Sequence, residues 1–110
     1  ELMLYFKNPV KPHTLTLNCL KMIGSQIFLP TEVEVWGGSD MQHLKAIGTL
    51  RATPQKKGDP DILQPLVCKL NESAPITCIK FVAKPIYKLP EWHPAKGTPS
   101  WVLVAEVFVN

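Results

Sequence analysis

Residues Glu32 to Asp40 read EVEVWGGSD. Val33 and Val35 alternate with Glu32, Glu34 and Trp36, the two-residue period of a strand with one buried face and one wet face. Gly37-Gly38-Ser39-Asp40 follows as a strong turn signal. A short strand that ends in a fixed turn is the unit from which the rest of the chain is built.

Upstream, His13 to Met22 sets Leu15, Leu17 and Cys19 against Thr14, Thr16 and Asn18, and Leu2 to Lys7 is long enough for one more strand. Ile23 to Pro30 reads as a connection with Ile27 and Phe28 tucked down as plugs. Downstream, Met41 to Lys45 suits a single helical turn, Ala46 to Ala52 a strand and Thr53 to Pro60 a polar loop. Ile62 to Leu70 is a strand in which Pro65 demands an edge position or a bulge, and Asn71 to Pro75 turns the chain. Ile76 to Ala83 alternates, with Ile76, Cys78 and Lys80 on one face. Lys84 to Pro99 is a long proline-rich loop. Trp101 to Val109 is almost wholly apolar, which suits a strand covered on both faces. The 11 prolines are spread along the whole chain, a distribution that long helices do not tolerate. About seven short strands and no helix of ten residues predict an all-β fold, a two-sheet antiparallel β-sandwich.

The 110 residues suit one domain. The net charge is +3, the lysines are scattered and Arg51 is the only arginine, so the basic stripe of a nucleic-acid binder is missing. No run of about 20 apolar residues spans a membrane. Cys19, Cys68 and Cys78 all sit in apolar strand-like runs, as small buried hydrophobes or as one disulfide and one free thiol. Glu32 and Glu34 share a strand face as a solvated pair rather than a glycosidase couple. His13, His43 and His93 are far apart, each beside a turn. No catalytic motif is present, which argues against an enzyme.

The loop KPIYKLPEWHPAKGTPSW (84–101) stands out. Pro85, Pro90, Pro94 and Pro99 stiffen it, and it carries Tyr87, Trp92 and Trp101. Sugars present apolar C–H faces that stack on aromatic rings and hydroxyls that bond to polar side chains. Trp92 is the expected stacking ring, with His93, Glu91 and Lys96 bonding hydroxyls, Tyr87 flanking, and the loops around Asp40 and Gly58 bordering the site. The alternative is that Trp92 merely plugs an open end of the sandwich. Trp101 is expected in the core and Trp36 outward.

These blocks also resemble a family. PTEVEVWGGSD (30–40), KFVAKP (80–85), LPEWHPAKG (89–97) and WVLVAEVFVN (101–110) are similar to the C-terminal half of a coagulation factor 5/8 type C (discoidin) domain. More narrowly, they resemble the C-terminal modules of Bacteroides-type chitobiases, β-hexosaminidases of glycoside hydrolase family 20. The resemblance implies a jelly roll of the galactose-binding type whose first portion lies ahead of Glu1. It implies a C-terminal module that binds glycan (N-acetylhexosamine- or galactose-containing) and targets a periplasmic, cell-surface or secreted bacterial parent protein to its substrate, with adjacent domains as partners. It also implies a structural calcium ion with Glu106 as a ligand, although Ala105 replaces the family's preceding aspartate. Two other readings remain: a structural spacer with no ligand of its own, and adhesion to a protein or anionic membrane through Lys84, Lys88 and Lys96.

Overall fold

The computed structural model describes residues 2–52, 55–71 and 75–110. Thr53 and Pro54 of the expected polar loop, and residues 72–74 of the expected turn, therefore lie outside the described residues. Among the described residues seven strands are present: β1 (Leu2–Val10), β2 (Thr14–Lys21), β3 (Glu32–Gly38), β4 (Leu44–Arg51), β5 (Ile62–Lys69), β6 (Ile76–Lys84) and β7 (Leu103–Val109), with one 3-10 turn at Ile23–Ser25. They form a four-stranded sheet in the order β1-β6-β3-β4 and a three-stranded sheet in the order β5-β2-β7, and every pairing between strands is antiparallel. The predicted two-sheet β-sandwich is the observed fold.

Alternation sorts the side chains. Leu15, Leu17 and Cys19 of β2 meet Val33 and Val35 of β3, Ile47 of β4 and Ile79 and Phe81 of β6 in one core, and Val104, Val107 and Val109 of β7 pack against it. Each such fully buried aliphatic or aromatic side chain is worth about 1.5–3 kcal/mol of transfer free energy. Pro65 falls on β5, an edge strand, as the missing N–H requires. Gly38 is obligatory for a different reason: a Cβ there would collide with the backbone of His43, so only glycine lets β3 turn directly into β4.

The outer face of the four-stranded sheet is ionic. Lys84 Nζ lies 2.6 Å from Glu34 Oε1 and 3.6 Å from Glu32 Oε2, and Lys80 Nζ sits 5.9 Å from the centre of the Trp36 ring. The hydrogen bond from Lys84 is the main reason the Glu34 carboxyl titrates below its usual range. Glu32 and Glu34 thus share one lysine partner, and Trp36 points outward as its parity predicted.

Several local expectations are corrected. Residues 41–43 form a turn, not a helical one, and Leu44 already belongs to β4. Within β6 the parity changes: Ile76, Ile79 and Phe81 enter the core, while Cys78 lines a surface hollow beside Tyr5 and Asp40. The β1–β6 register shifts between Tyr5 and Val10 at the same place, and such an irregularity re-aims side chains. β7 is an edge strand whose outward residues are exposed, so its apolar run is not covered on both faces.

All three cysteines are free and buried. Burial pushes the Cys19 thiol up to about 11, and Cys68 and Cys78 upward as well. A thiol that holds its proton more tightly in the folded chain than in the unfolded one favours unfolding as pH rises from the unfolded toward the folded pKa. The unfolding midpoint should therefore fall between pH 9 and pH 11, and fall less steeply in Cys19→Ala, in thermal melts followed by circular dichroism. Below pH 8 the native thiols should stay inert to a thiol reagent until the protein unfolds.

Candidate functional site

β2, β4 and β6 end, and β3, β5 and β7 begin, at the same pole of the sandwich. The three long connections, 22–31, 52–61 and 85–102, gather there. The short turn bearing Asp40 lies at the opposite pole, because β3 runs the length of the sheet between them. Asp40 therefore does not border the proline-rich loop, contrary to the expectation from sequence. The loop around Gly58 is at the right pole, and Gln55 beside it lines a cavity there.

The segment from Pro85 to Val102 folds back on itself. Ser100 N donates to Ile86 O at 2.8 Å, Leu89 N to Thr98 O at 2.8 Å and Gly97 N to Leu89 O at 3.1 Å. Gly97 has φ +80°, the left-handed region that closes this return at no steric cost. Under the loop lies a second small core of Ile23, Phe28 and Leu89, with Ile86, Trp92 and Ala95 packed on it.

His93 holds this cap in place. It is only 5% exposed, and its Nε2 lies 2.6 Å from the carbonyl oxygen of Ile23, while Ala95 N donates to its Nδ1 at 3.0 Å. These partners assign the tautomer: Nε2 carries the proton and donates, and Nδ1 accepts. The Phe28 ring centre is 5.6 Å from that of His93 and 6.4 Å from that of Trp92, within the range of favourable tilted contacts. Both ring nitrogens of His93 are engaged inside the protein, and they tie the loop to the 3-10 turn.

The other expected residues are placed as follows. Trp92 is half-buried, and its ring helps line a cavity of about 330 Å³ with Phe28, Pro30, Ile86 and Pro90. Gln55 and Thr31 also line it, yet both are committed to the backbone: Leu29 N donates to Gln55 Oε1 at 2.9 Å and Thr31 Oγ1 donates to Lys84 O at 3.3 Å. Lys88 is the cation at this cavity. Glu91 and Lys96 are exposed and pair with each other at 3.4 Å. Tyr87 is 68% exposed. The structure thus brings Trp92 and His93 together under the loop and leaves Glu91, Lys96 and Tyr87 on its surface.

Trp101 corrects the sequence reading most sharply. It was expected in the core and is 70% exposed. Its backbone is spent on the 22–31 connection, with Trp101 N donating to Gln26 O and Phe28 N donating to Trp101 O, and β7 starts only at Leu103. The alternation of β7 therefore does not extend back to it, and the indole is turned out. Beside it, Gln26 adopts the left-handed conformation at φ 66°, a placement costing about 1–2 kcal/mol for a residue with a Cβ. The compensating contacts are visible: Gln26 Nε2 donates to Thr98 Oγ1 at 3.0 Å and to Pro99 O at 3.2 Å, stitching the two connections together. Gln26, Thr98, Pro99, Ser100 and Trp101 surround a groove of about 370 Å³. Among the described residues no hydrogen bond engages Gln26 Oε1, which leaves an acceptor beside an exposed aromatic face. The positive φ of Gln26 has no signature in sequence, so this groove was not legible beforehand.

Glu106 lies on the outer face of β7, opposite Asn18. Among the described residues no group of three or more His, Cys, Asp or Glu side chains is placed to hold a metal ion. A scan of protein-family models finds no match to this sequence, and a search of curated proteins finds none either.

Replacing His93 by Ala removes one of the two donors to the Ile23 carbonyl, which Gln26 N also bonds, and takes the acceptor from Ala95 N, a loss of about 1–3 kcal/mol. Urea unfolding should show that loss for His93→Ala, while Glu91→Ala and Lys96→Ala, which remove an exposed pair, should leave the midpoint unchanged.

Proposed function

We propose that this domain is a non-catalytic carbohydrate-binding module that holds an extracytoplasmic, glycan-processing parent protein on its substrate. The observation that carries the reading is the exposed Trp101 ring beside the free Gln26 acceptor, on a pole whose loops are stiffened by prolines and fastened by His93. A pyranose is flat and apolar on one face and rimmed with hydroxyls. An exposed indole offers the stacking surface, and Gln26 Oε1 and the Trp101 indole N–H offer an acceptor and a donor for the rim. Because the loops are already ordered, little conformational entropy is lost on binding. The half-buried Trp92 and Lys88 provide a neighbouring, more apolar recess at the same pole, suited to a substituent such as an acetamido methyl. The resemblance of residues 28–40 and 78–110 to discoidin domains supports the same reading, since a domain of that kind would bind sugars with loops at one end.

A second reading is favoured by one observation: His93 and Phe28 hold Trp92 as part of a cap, which is what a spacer domain with no ligand also needs.

The discriminating measurement is a titration of nitrogen-15-labelled protein with N-acetylglucosamine, chitobiose and galactose. Sugar binding should shift the Trp101 indole signal and the Gln26 and Thr98 amides at millimolar concentrations. Trp101→Ala should abolish the shifts and leave the unfolding midpoint unchanged, because the ring packs on little. Shifts confined to Ile86, Lys88 and Trp92 would place the sugar in the recess instead. No shift with any sugar from a folded sample would leave the spacer reading standing.

A further inference from the structure

The cavity beside the proline-rich loop differs in chemistry from the Trp101 groove. Phe28, Pro30, Ile86, Pro90 and Trp92 supply apolar walls. Its volume of about 330 Å³ lies within the roughly 300–1,000 Å³ of small-molecule sites. Of the polar side chains that line it, two are spent. Gln55 is held at both ends by Leu29, whose N–H donates to Oε1 at 2.9 Å and whose carbonyl accepts from Nε2 at 3.4 Å. Thr31 gives its hydroxyl proton to Lys84 O. Lys88 is the third; among the described residues its ammonium has no ion pair, and no carboxylate lines the cavity. The indole N–H of Trp92 likewise has no hydrogen-bond partner among the described residues. The groups left unspent are therefore both donors, one of them charged.

We propose that this cavity binds a small apolar monocarboxylate. The hydrocarbon body lies against Ile86 and Trp92, and the carboxylate accepts from Lys88. Charge and hydrogen-bonding role together select that class. A carboxylate carries one negative charge and only accepts, which suits a lining whose unspent side-chain groups are donors. A phosphate brings a second charge and a third oxygen, which would face proline and isoleucine without a donor. A neutral sugar offers hydroxyl protons as well as lone pairs, and it is the Trp101 groove, with Gln26 Oε1, that supplies an acceptor for them. The walls are set before binding. Pro30 and Pro90 fix their own backbone, and Leu89 N donates to Thr98 O at 2.8 Å across the loop that carries Lys88.

The acid is either free or carried as a substituent on a sugar, and the chemistry at the cavity is the same in both. The site does not rest on the sugar-binding reading; only its use in choosing acidic over neutral sugars does. Lys88 is exposed, so the ion pair forms at the rim in contact with water. A pair of that kind is worth about twofold to fivefold in affinity, and burial of the hydrocarbon body supplies the rest.

Titrations of the nitrogen-15-labelled chain with phenylacetate and with its neutral amide, phenylacetamide, test the site. Phenylacetate should shift the Trp92 indole signal and the Ile86 and Lys88 amides and leave the Trp101 indole unmoved. It should bind about twofold to fivefold tighter than phenylacetamide. Lys88→Gln should remove that advantage while keeping the phenylacetamide affinity and the melting transition. A folded sample whose cavity signals stay still in millimolar phenylacetate overturns the proposal. Equal binding of acid and amide also overturns it, as does an advantage that survives Lys88→Gln. N-acetylmuramic acid, which adds a lactyl carboxylate to N-acetylglucosamine, separates the two sources. If it moves the cavity signals at lower concentration than N-acetylglucosamine does, the acid is one carried on a sugar; phenylacetate binding without that preference identifies a free acid. Sugar shifts at Trp101 with a cavity silent to phenylacetate would sink this proposal and keep the sugar reading, and the reverse pattern would keep this one and sink the other.

Discussion

The structure depends on one constraint: two small sheets have only each other's inner faces to bury. Leu15, Leu17 and Cys19 on one side and Val33, Val35, Ile79 and Phe81 on the other supply that contact. A stack only three and four strands wide is open at its poles, and water at either pole would reach the core. The turn pole is closed by short connections, with Gly38 letting β3 and β4 meet tightly. The loop pole is wider and needs a cap of its own, which is why Phe28, Leu89 and Trp92 form a second core and why His93 is buried there.

Most of the fold was legible because it follows from alternation and punctuation. A two-residue period fixes which face of β2 and β3 is buried, and proline limits β5 to an edge or a bulge, of which the structure shows the edge. Legibility stopped where backbone irregularity breaks the period. The parity of β6 changes where its register with β1 shifts, which moved Cys78 out of the expected face. The apolar run of β7 resembled a strand buried on both sides, yet apolar residues on an outer face and on an inner face look alike in sequence. Trp101 was misplaced for the same reason: counted as the first residue of β7 it belongs inside, but its backbone is paired to the 22–31 connection and the strand begins later.

The candidate site was legible only in part. Proline content singled out the 84–101 loop, and the loop does stand at a pole with aromatic rings around it. Which aromatic is buried and which is exposed depends on long-range hydrogen bonds. The bond from His93 to the Ile23 carbonyl spans 70 residues, and the Gln26 bonds to Thr98 and Pro99 span 72 and 73. Partners that far apart leave no local pattern. They nonetheless decide that Trp92 and His93 stabilise the pole while Trp101 faces solvent.

On the proposed sugar-binding reading, those same bonds divide the labour between holding the loop and meeting a ligand. A ring that stacks on sugar must be exposed, and an exposed ring contributes little to holding its own loop. A ring that pins a loop must be buried, where a sugar cannot cover its face. Trp92 alone cannot satisfy both demands. The loop carries two tryptophans in two settings: Trp92 beneath it against Phe28, and Trp101 above it beside a strained Gln26. The left-handed backbone at Gln26 fits this division, because the bonds from its Nε2 to Thr98 and Pro99 offset the strain and leave its Oε1 unspent at the groove.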